Sequence, residues 1–299
     1  NLYSSFNKRL EDTSHLKSIA SKMAEWLSYL SHPDGKISHF NDSSMDATID
    51  LNDLQNYANS LGVTWPQYLH AQSDLSSSGF VASRLGVSSL LVDGGEIGAS
   101  YQPGHAHADT SSFELCVFGQ RVFVNTGVST YEADSIRLKE RGTASHNTVE
   151  INNENSSDIW ASFRVGRRAK IINKIVNFYS DKSEISLSHN GYLHLNGSPI
   201  HCRSFLHGIN YLKIVDKITG SFTTARGNLH IHPDVKKIVL DKDTVNLRLD
   251  KNKSLRIKFI GCTLKLNDYW FCSDFGNRLE GKCIEYLIKN VEAKILIKW

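Results

Sequence analysis

Residues 112–125, SFELCVFGQRVFVN, decide the fold class of this chain. Apolar and polar side chains alternate within residues 112–118 and again within residues 121–125, and aromatic and β-branched residues predominate. This period-two pattern is typical of β-strands, and Gly119 predicts a tight turn between the two halves. The stretch is therefore a predicted β-hairpin.

Stretches of the same kind recur through the C-terminal part of the chain, separated by turns rich in Gly, Asn and Asp. They are HNTVEI (146–151), KIINKIVNF (170–178), YLKIVDKI (211–218) and LRIKFI (255–260). No helical pattern of comparable quality interrupts them. Roughly 200 residues of this kind predict a mainly β fold, namely a large antiparallel β-sandwich of two sheets.

The N-terminal part has helical periodicity instead. Residues 14–31 predict an amphipathic helix, with Ser14 as N-cap, Pro33 just beyond the end and apolar side chains at spacings of three and four: Leu16, Ile19, Met23, Trp26, Leu27 and Leu30. A second helix is predicted from about Met45 to Leu61, where Gly62 follows. Two helices cannot bury their apolar stripes alone, so we expect them to pack on further helices or on the β domain.

The boundary between the two parts is predicted near the polar run 72–80, QSDLSSSGF. The predicted organisation is a short helical segment over residues 1–75 and a β-sandwich domain over residues 76–299. Because the chain begins at Asn1 rather than Met, we expect that upstream residues were removed by processing or belong to a longer protein.

Composition excludes several classes of protein. The hydrophobic share of 40% and the charged share of 22% are those of a soluble globular protein. A formal charge of +3 without blocks of Lys and Arg is unlike a nucleic-acid binder, and no apolar run approaches the roughly 20 residues of a transmembrane helix. The five cysteines are predicted to be buried free thiols, with a Cys262–Cys272 disulfide as the alternative.

The densest cluster of chemically capable residues is YQPGHAHAD at 101–109. On an extended backbone, His105, His107 and Asp109 would face one side, because positions i, i+2 and i+4 point the same way. Two imidazoles on one face suit a transition metal. The alternative from spacing alone is a hydrogen-bonded surface strand.

Further candidates follow near the predicted strand ends. Asn125 closes one strand, Tyr131 comes six residues later, and RGTASHNTV places Arg141 and His146 before another strand. Arg137 and Arg141 are the right kind of residue to bind carboxylates or sulfates in bidentate fashion. The alternative is a capped loop with solvated arginines, and Tyr131 is equally consistent with aromatic packing.

The region from about Pro103 to Lys170 resembles the heparinase II/III-like family. The resemblance rests on PGHAHAD (103–109), RGTASHNTVEI (141–151) and SSDIWASFRVGRRAKI (156–171), which occur in the family's order. The segment HPDGKISHFNDS (32–43) resembles the part that joins an α/α-toroid to the β domain. This implies a C-terminal β-sandwich preceded by the remnant of a toroid.

Members of that family are polysaccharide lyases that act on uronic-acid polymers such as heparan sulfate or alginate, in the cleft between toroid and sandwich. The resemblance implies that His105 is catalytic and that His107, Asn125 and His146 bind zinc or another divalent metal. The family has Asp at the position of Asn125. An amide oxygen brings no charge, so we expect weaker metal binding or a different ion.

The resemblance also implies the remaining parts of the site and its partner. The substrate would be an acidic polysaccharide, contacted by Tyr101, Arg137 and Arg141, with Tyr131 as a second proton-transfer candidate. Upstream toroid residues would neutralise the uronate carboxylate and supply another tyrosine. Because only two helices precede the β domain, we expect weak or no lyase activity from this chain alone.

Two other functions are also compatible with the sequence. A non-catalytic carbohydrate-binding or polysaccharide-assembly protein is favoured by Asn125 and by the missing helices, and the intact His105, His107 and His146 argue against it. A metal-dependent hydrolase would need a carboxylate base, for which Asp109 and Glu114 are the nearby candidates. Acidic polysaccharides lie outside the cytoplasm, so a periplasmic or secreted location in a bacterium is expected.

Overall fold

The computed structural model describes residues 13–45, 47–66 and 69–299. It is mainly antiparallel β-structure preceded by short helices, which confirms the predicted fold class. Residues 1–12 of the predicted helical segment lie outside the described residues. The first strand begins at Gln72 and is hydrogen-bonded into the larger sheet, so the sheet starts before the predicted boundary at residue 76.

Both predicted helices form, with shifted ends. Helix α1 spans Ser14–Tyr29 with Thr13 rather than Ser14 at the N-cap. Helix α2 spans Leu51–Ser60 and starts later than predicted, because the Asp50 side chain accepts a hydrogen bond from the amide of Asn52 and caps the helix there. Residue 46, within the predicted second helix, is outside the described residues.

Helix α1 packs on the β domain mainly through its C-terminal end. Tyr29 and Leu30 are buried in a small apolar cluster with Phe40 and Leu91. Arg84 donates to the carbonyls of residues 28, 29 and 31, which satisfies acceptors that the helix end leaves unpaired. Towards the N-terminus, three side chains of the predicted apolar stripe are exposed among the described residues: Leu16, Ile19 and Met23.

Strands β1 to β19 follow in chain order. They are Gln72–Leu75, Phe80–Leu85, Ser88–Asp93, Phe113–Val117, Gln120–Phe123, Val149–Ile151, Ile159–Trp160, Arg164–Val165, Ile171–Phe178, Lys182–His189, Ile200–Gly208, Tyr211–Thr219, Ala225–Ile231, Lys237–Asp241, Thr244–Arg248, Ser254–Ile260, Cys262–Asp274, Asn277–Ile288 and Glu292–Lys298.

Within the described residues, the strands form two large sheets and one small hairpin. The nine-stranded sheet has the order β1-β2-β3-β4-β5-β13-β18-β17, with β6 also paired to β13. The eight-stranded sheet has the order β14-β15-β16-β19-β12-β11-β10-β9, and β7 pairs with β8. The core lies between the large sheets, where Phe113 and Leu229 from one and Phe205 and Ile295 from the other are fully buried.

A charged cluster is buried in this core. Arg203 on β11 binds Asp216 on β12 through two nitrogens, at 2.7 and 3.1 Å. The guanidinium also donates to Tyr286 on β18 of the opposite sheet and to the carbonyl oxygen of Ser111. Arg203 therefore links the two sheets and reaches the loop that precedes β4.

A third helix interrupts the β domain, contrary to the sequence prediction. Helix α3, Ser135–Arg141, is capped by Asp134 and lies between β5 and β6. Arg137 and Arg141 are thus on a helix and not in a loop. The connection from β5 to β6 and that from β3 to β4 leave the same end of the nine-stranded sheet, because β3, β4 and β5 are antiparallel neighbours.

Two remaining predictions concern cysteines and membranes. All five cysteines are free, and all but Cys202 are buried, so a Cys262–Cys272 disulfide is absent from the described part of the chain. None of the helices in the described ranges is long and apolar enough to cross a membrane.

Candidate active site

Asp42 organises the group of polar side chains at this end of the sandwich. Its Oδ2 accepts from Nδ1 of His105 at 2.9 Å, and its Oδ1 accepts from Nε2 of His107 at 2.8 Å. Both carboxylate oxygens also bind the guanidinium of Arg137. One carboxylate of the N-terminal segment therefore fixes two histidines and an arginine of the β domain.

The electrostatics of this group favour an ionised Asp42. Burial would raise the pKa of Asp42, whose side chain is 4% exposed, but hydrogen bonds from His107 and Arg137 outweigh this and hold the pKa well below its usual value. Burial lowers the pKa of His107 despite its bond to Asp42. The site thus holds a carboxylate balanced by one guanidinium, beside a neutral His107.

His105 is the accessible histidine of the group. Its side chain is 57% exposed, whereas that of His107 is 1% exposed. With Nδ1 held by Asp42, Nε2 is the nitrogen left for a ligand, and it has no hydrogen bond to the residues that the structure describes. Asp42 orients the ring in the way that a buried carboxylate orients a catalytic imidazole.

His105 and Tyr131 line a groove between α1 and the sandwich. This groove, hereafter the His105 groove, has a volume of about 390 Å³ and is also lined by Trp26, Phe40 and Asp42. The rings of His105 and Tyr131 have centroids 5.9 Å apart. Burial, together with the charge of Asp42, raises the pKa of Tyr131. The groove offers aromatic and apolar walls with two proton-transfer groups on one side.

Arg137 and Arg141, predicted from the sequence to bind substrate, both have fully buried side chains, and their contact with substrate stays a prediction. Arg137 is engaged by Asp42 and lies over the ring of Tyr131, with Cζ 4.9 Å from the ring centroid. Arg141 donates to the carbonyls of Ala106 and Ser162 and so holds the backbone between the two histidines. The alternative of solvated arginines is wrong.

Tyr101 lies apart from this group. It is 89% exposed at the tip of the loop that carries the histidines, and it is not among the residues that line the His105 groove. Its predicted contact with substrate stays a prediction.

The three predicted metal ligands lie next to one another beneath His105. The rings of His107 and His146 are 5.2 Å apart, and Asn125 Oδ1 is 3.0 Å from Nδ1 of His146. Nδ1 of His107, Nε2 of His146 and Nδ2 of Asn125 are buried without hydrogen-bond partners in the described part of the chain. Burial lowers the pKa of His146 well below its usual value, so its ring is neutral.

The imidazoles of His107 and His146 fit a metal ion. With Asp42 on Nε2 of His107 and Asn125 on Nδ1 of His146, the unpartnered nitrogen of each ring carries its lone pair. Two such nitrogens suit zinc or a similar transition metal. Asn125 uses its oxygen to orient His146, so a half-turn of its amide would be required before it ligates. Across the described ranges, no cluster of three or more His, Cys, Asp or Glu is placed to hold a metal.

The two carboxylates considered for hydrolysis are not in the His105 groove. Asp109 does not face the same side as His105, because residues 105–109 form an irregular loop and not a strand, and it lines a different cavity with Asp93. Glu114 is fully buried and accepts from Nε2 of His32 and from the backbone amide of Asn125.

Glu114 has a structural role instead. Its bonds to His32 and to the backbone of His39 join the N-terminal segment to the centre of β4. Burial would raise the pKa of Glu114, but the bond from His32 and the charges of His32, His39 and Arg121 together outweigh burial and lower the pKa to about 2. A carboxylate held in this way cannot act as a base towards a ligand in the groove.

The comparisons with known proteins agree with this architecture. The family model described as Heparinase II/III-like, C-terminal, matches residues 69–299. Heparinase III, the BT4657 gene product, superposes with a TM-score of 0.75 at 18% identity over 96% of this chain and 47% of its own. The heparan sulfate lyase HepC from Pedobacter heparinus gives 0.76 and 17% over 96% and 47%.

The solved structures show which fold the chain shares, and the family model shows which family it belongs to. The chain spans about half the length of the solved structures that it matches, and at these identities the likeness shows the shared fold. No curated protein sequence matches the chain. Since the family model covers most of the sequence, the chain belongs to the heparinase II/III-like C-terminal family, whose members include polysaccharide lyases.

Proposed function

We propose that this protein is the C-terminal part of a polysaccharide lyase that cleaves a uronic-acid-containing polysaccharide by β-elimination. The observation that carries the proposal is the placement of His105. Its ring is oriented by Asp42 through Nδ1 and exposes Nε2 to a groove that also contains Tyr131.

The reaction requires three things of the site. A base removes the C5 proton of the uronate, an acid protonates O4 as the C4–O4 bond breaks, and a C4–C5 double bond forms. The C5 proton is weakly acidic while the adjacent carboxylate is ionised, so the carboxylate must be neutralised. His105 and Tyr131, both in the β domain, supply the base and the acid.

The division of roles follows from the surroundings of the two residues. Because Arg137 compensates the charge of Asp42, the carboxylate chiefly orients His105, which contacts the uronate through Nε2. The Tyr131 hydroxyl, whose pKa is raised, is protonated at neutral pH and donates to the departing O4. The resemblance to the family implies that upstream toroid residues neutralise the carboxylate and complete the site.

Zinc or another divalent ion fits the neighbouring nitrogens and would supply positive charge beneath the groove. We propose that His107 and His146 bind it, with Asn125 orienting His146. A bound ion would also fix the loop that carries His105, since His107 lies two residues further along the same loop. The substrate class implies that the protein acts outside the cytoplasm.

His105→Ala is expected to lower the rate of β-elimination by at least about 100-fold, because proton transfer by a positioned imidazole contributes on the order of 10²–10⁴. The measurement is the absorbance of the unsaturated uronate product, with a panel of acidic polysaccharides and the complete product of the gene. The present chain alone, assayed in parallel, is expected to show weak or no turnover.

His194→Ala is the matched control, because His194 is an exposed histidine of the same domain that does not line the groove. It should retain the wild-type rate. If His105→Ala bound the polymer and cleaved it like the wild type, the proposed reaction centre would be refuted. Products lacking the unsaturated chromophore would indicate hydrolysis, and polymer binding without any product would indicate a non-catalytic binding protein.

Zinc binding is expected to depend on His146. Element-resolved metal analysis after zinc loading and dialysis should give about one zinc per chain for the wild type and His194→Ala, and an affinity lower by at least about tenfold for His146→Ala. Asn125→Asp should bind zinc more tightly, since a carboxylate adds negative charge. Equal zinc content in the wild type and His146→Ala would exclude the imidazole pair as the metal site.

A further inference from the structure

Asp93 and Asp109 form a pair of buried carboxylates that are not among the residues lining the His105 groove. Asp93 ends β3 and is 7% exposed, and Asp109 lies in the loop before β4 and is 2% exposed. Backbone hydrogen bonds hold the two segments together, from the amide of Asp93 to the carbonyl of Ser112 and from the amide of Ser111 to the carbonyl of Asp93. The backbone segments that carry the two side chains are therefore held together.

Neither carboxylate has a cationic partner. Within the described ranges, no Lys, Arg or His forms an ion pair with Asp93 or Asp109, and Oδ2 of Asp109 is buried without any hydrogen bond. Asp93 accepts one bond, from the amide of Gly95 at 3.0 Å. The nearby Lys174 is engaged by Asp74 and by the carbonyl of Gly79.

Burying two carboxylates side by side costs free energy unless their charge is compensated. Buried carboxylates in folded proteins are paired, protonated or bound to a metal ion. The orphaned Oδ2 of Asp109 and the cavity that both carboxylates line leave room for a cation to supply that compensation.

The cavity beside the pair offers access and further ligands. It has a volume of about 650 Å³, and Asp93 and Asp109 both line it. Residues 76–79 and 94–100, rich in Ser and Gly, form much of the wall. The available donors are carboxylate, hydroxyl and carbonyl oxygens, with no sulfur and no imidazole among the lining residues.

We propose that Asp93 and Asp109 bind a calcium ion in this cavity. Oxygen ligands select a hard cation, and loops built from Ser and Gly adapt to the irregular coordination of calcium better than to the strict octahedron of magnesium. The ion would tie the end of β3 to the loop that carries His107. This site is separate from the imidazole pair and does not depend on the proposed lyase activity.

Calorimetric titration of chelator-treated protein with calcium at pH 7.5 tests the proposal directly. One calcium ion per chain is expected, with magnesium at least about tenfold weaker. Asp93→Asn and Asp109→Asn should each weaken calcium binding at least about tenfold. Asp243→Asn, a surface aspartate paired with Lys258, is the matched control and should bind calcium normally. A wild-type protein that takes up no calcium would overturn the proposal without recourse to any variant.

Terbium luminescence locates the ion. Nε1 of Trp26 donates to Oγ of Ser78, which lines the cavity, so an ion there lies close to an indole. Excitation at the red edge of tryptophan absorption should give terbium emission that calcium displaces. Trp26→Phe should lose the emission and keep calcium affinity. Undiminished emission from Trp26→Phe would place the ion elsewhere.

Two further variants distinguish calcium at Asp93 and Asp109 from calcium at the imidazole pair. Lys174→Gln removes positive charge near Asp93 and should tighten calcium binding, since the Lys174 ammonium opposes a cation there. His146→Ala removes a nitrogen of the imidazole pair and should leave calcium affinity unchanged. Calcium binding that is lost in His146→Ala, or weakened in Lys174→Gln, would contradict the assignment to the two aspartates.

Discussion

Asp42→Asn is expected to reduce the turnover number for β-elimination by about 10³-fold while the Michaelis constant changes little. Asparagine offers one acceptor oxygen where the carboxylate receives bonds from His105, His107 and Arg137. The His105 ring would lose its fixed orientation, and loss of an orienting carboxylate in a catalytic triad costs about 10⁴. Kinetic constants from the unsaturated product, measured on the complete gene product, provide the check.

The effect must be distinguished from loss of folding. Asp34→Asn removes another bidentate aspartate–arginine pair of the same N-terminal segment, that with Arg121, which does not line the groove. Both variants should unfold at lower temperature than the wild type, and Asp34→Asn should keep the wild-type turnover number. An Asp42→Asn protein that folds and turns over within about twofold of the wild type would show that His105 needs no such orientation.

The sequence predicts the sandwich well because its strands are regular. Period-two alternation located the six quoted strands to within three residues at each end. The same method missed α3, because SIRLKER has no apolar stripe. That helix is buried through Arg137 and Arg141, whose guanidinium groups are satisfied by a carboxylate and by carbonyls that only the folded chain brings near.

The sequence predicts only part of the candidate active site, because some of its residues are brought together only by the fold. His105, His107 and His146 stand out as motifs, and the structure brings them together with Asn125 and Tyr131. Asp42 did not stand out, since it is a single carboxylate in a loop, 63 positions from His105 and 95 from Arg137. Asp42 lies in the segment HFNDS, which resembles the family. An Asp with no predicted partner, close in sequence to a His, was the available signal for a role in the site.

Asp216→Asn is expected to lower the free energy of unfolding by about 3–5 kcal/mol, the largest effect on stability that we predict. The substitution leaves the guanidinium of Arg203 buried between the sheets without a counter-charge. Arg203→Met should be similarly costly. The double variant Arg203→Met/Asp216→Leu should cost less than the sum of the single effects, because no unpaired charge remains.

Asp243→Asn is the matched control for this prediction, because its partner Lys258 and Asp243 itself are each about half exposed. Surface pairs of this kind contribute about 0–1 kcal/mol. Urea unfolding monitored by circular dichroism gives the free energies. A cost for Asp216→Asn no greater than that for Asp243→Asn would contradict a stabilising role for the buried pair.

The Arg203–Asp216 pair also determines how the free energy of unfolding depends on pH. Burial would raise the pKa of Asp216, but Arg203 and the bond from His201 hold it below the ordinary value. The unfolded chain therefore binds a proton at higher pH than the folded chain does. The stabilisation is complete above about pH 4 and is lost as the pH falls through the lowered pKa of the folded state.

This loss extends to the candidate active site. Arg203 also donates to the carbonyls of Ser111 and Asn147, and Asn147 directly follows His146. The Asp216→Asn variant should therefore have a less rigid backbone around the imidazole pair as well as a less stable core. Zinc affinity of Asp216→Asn, measured at a urea concentration where the chain is still folded, should fall below that of Asp243→Asn, and equal affinities would confine the effect of Arg203 to the core.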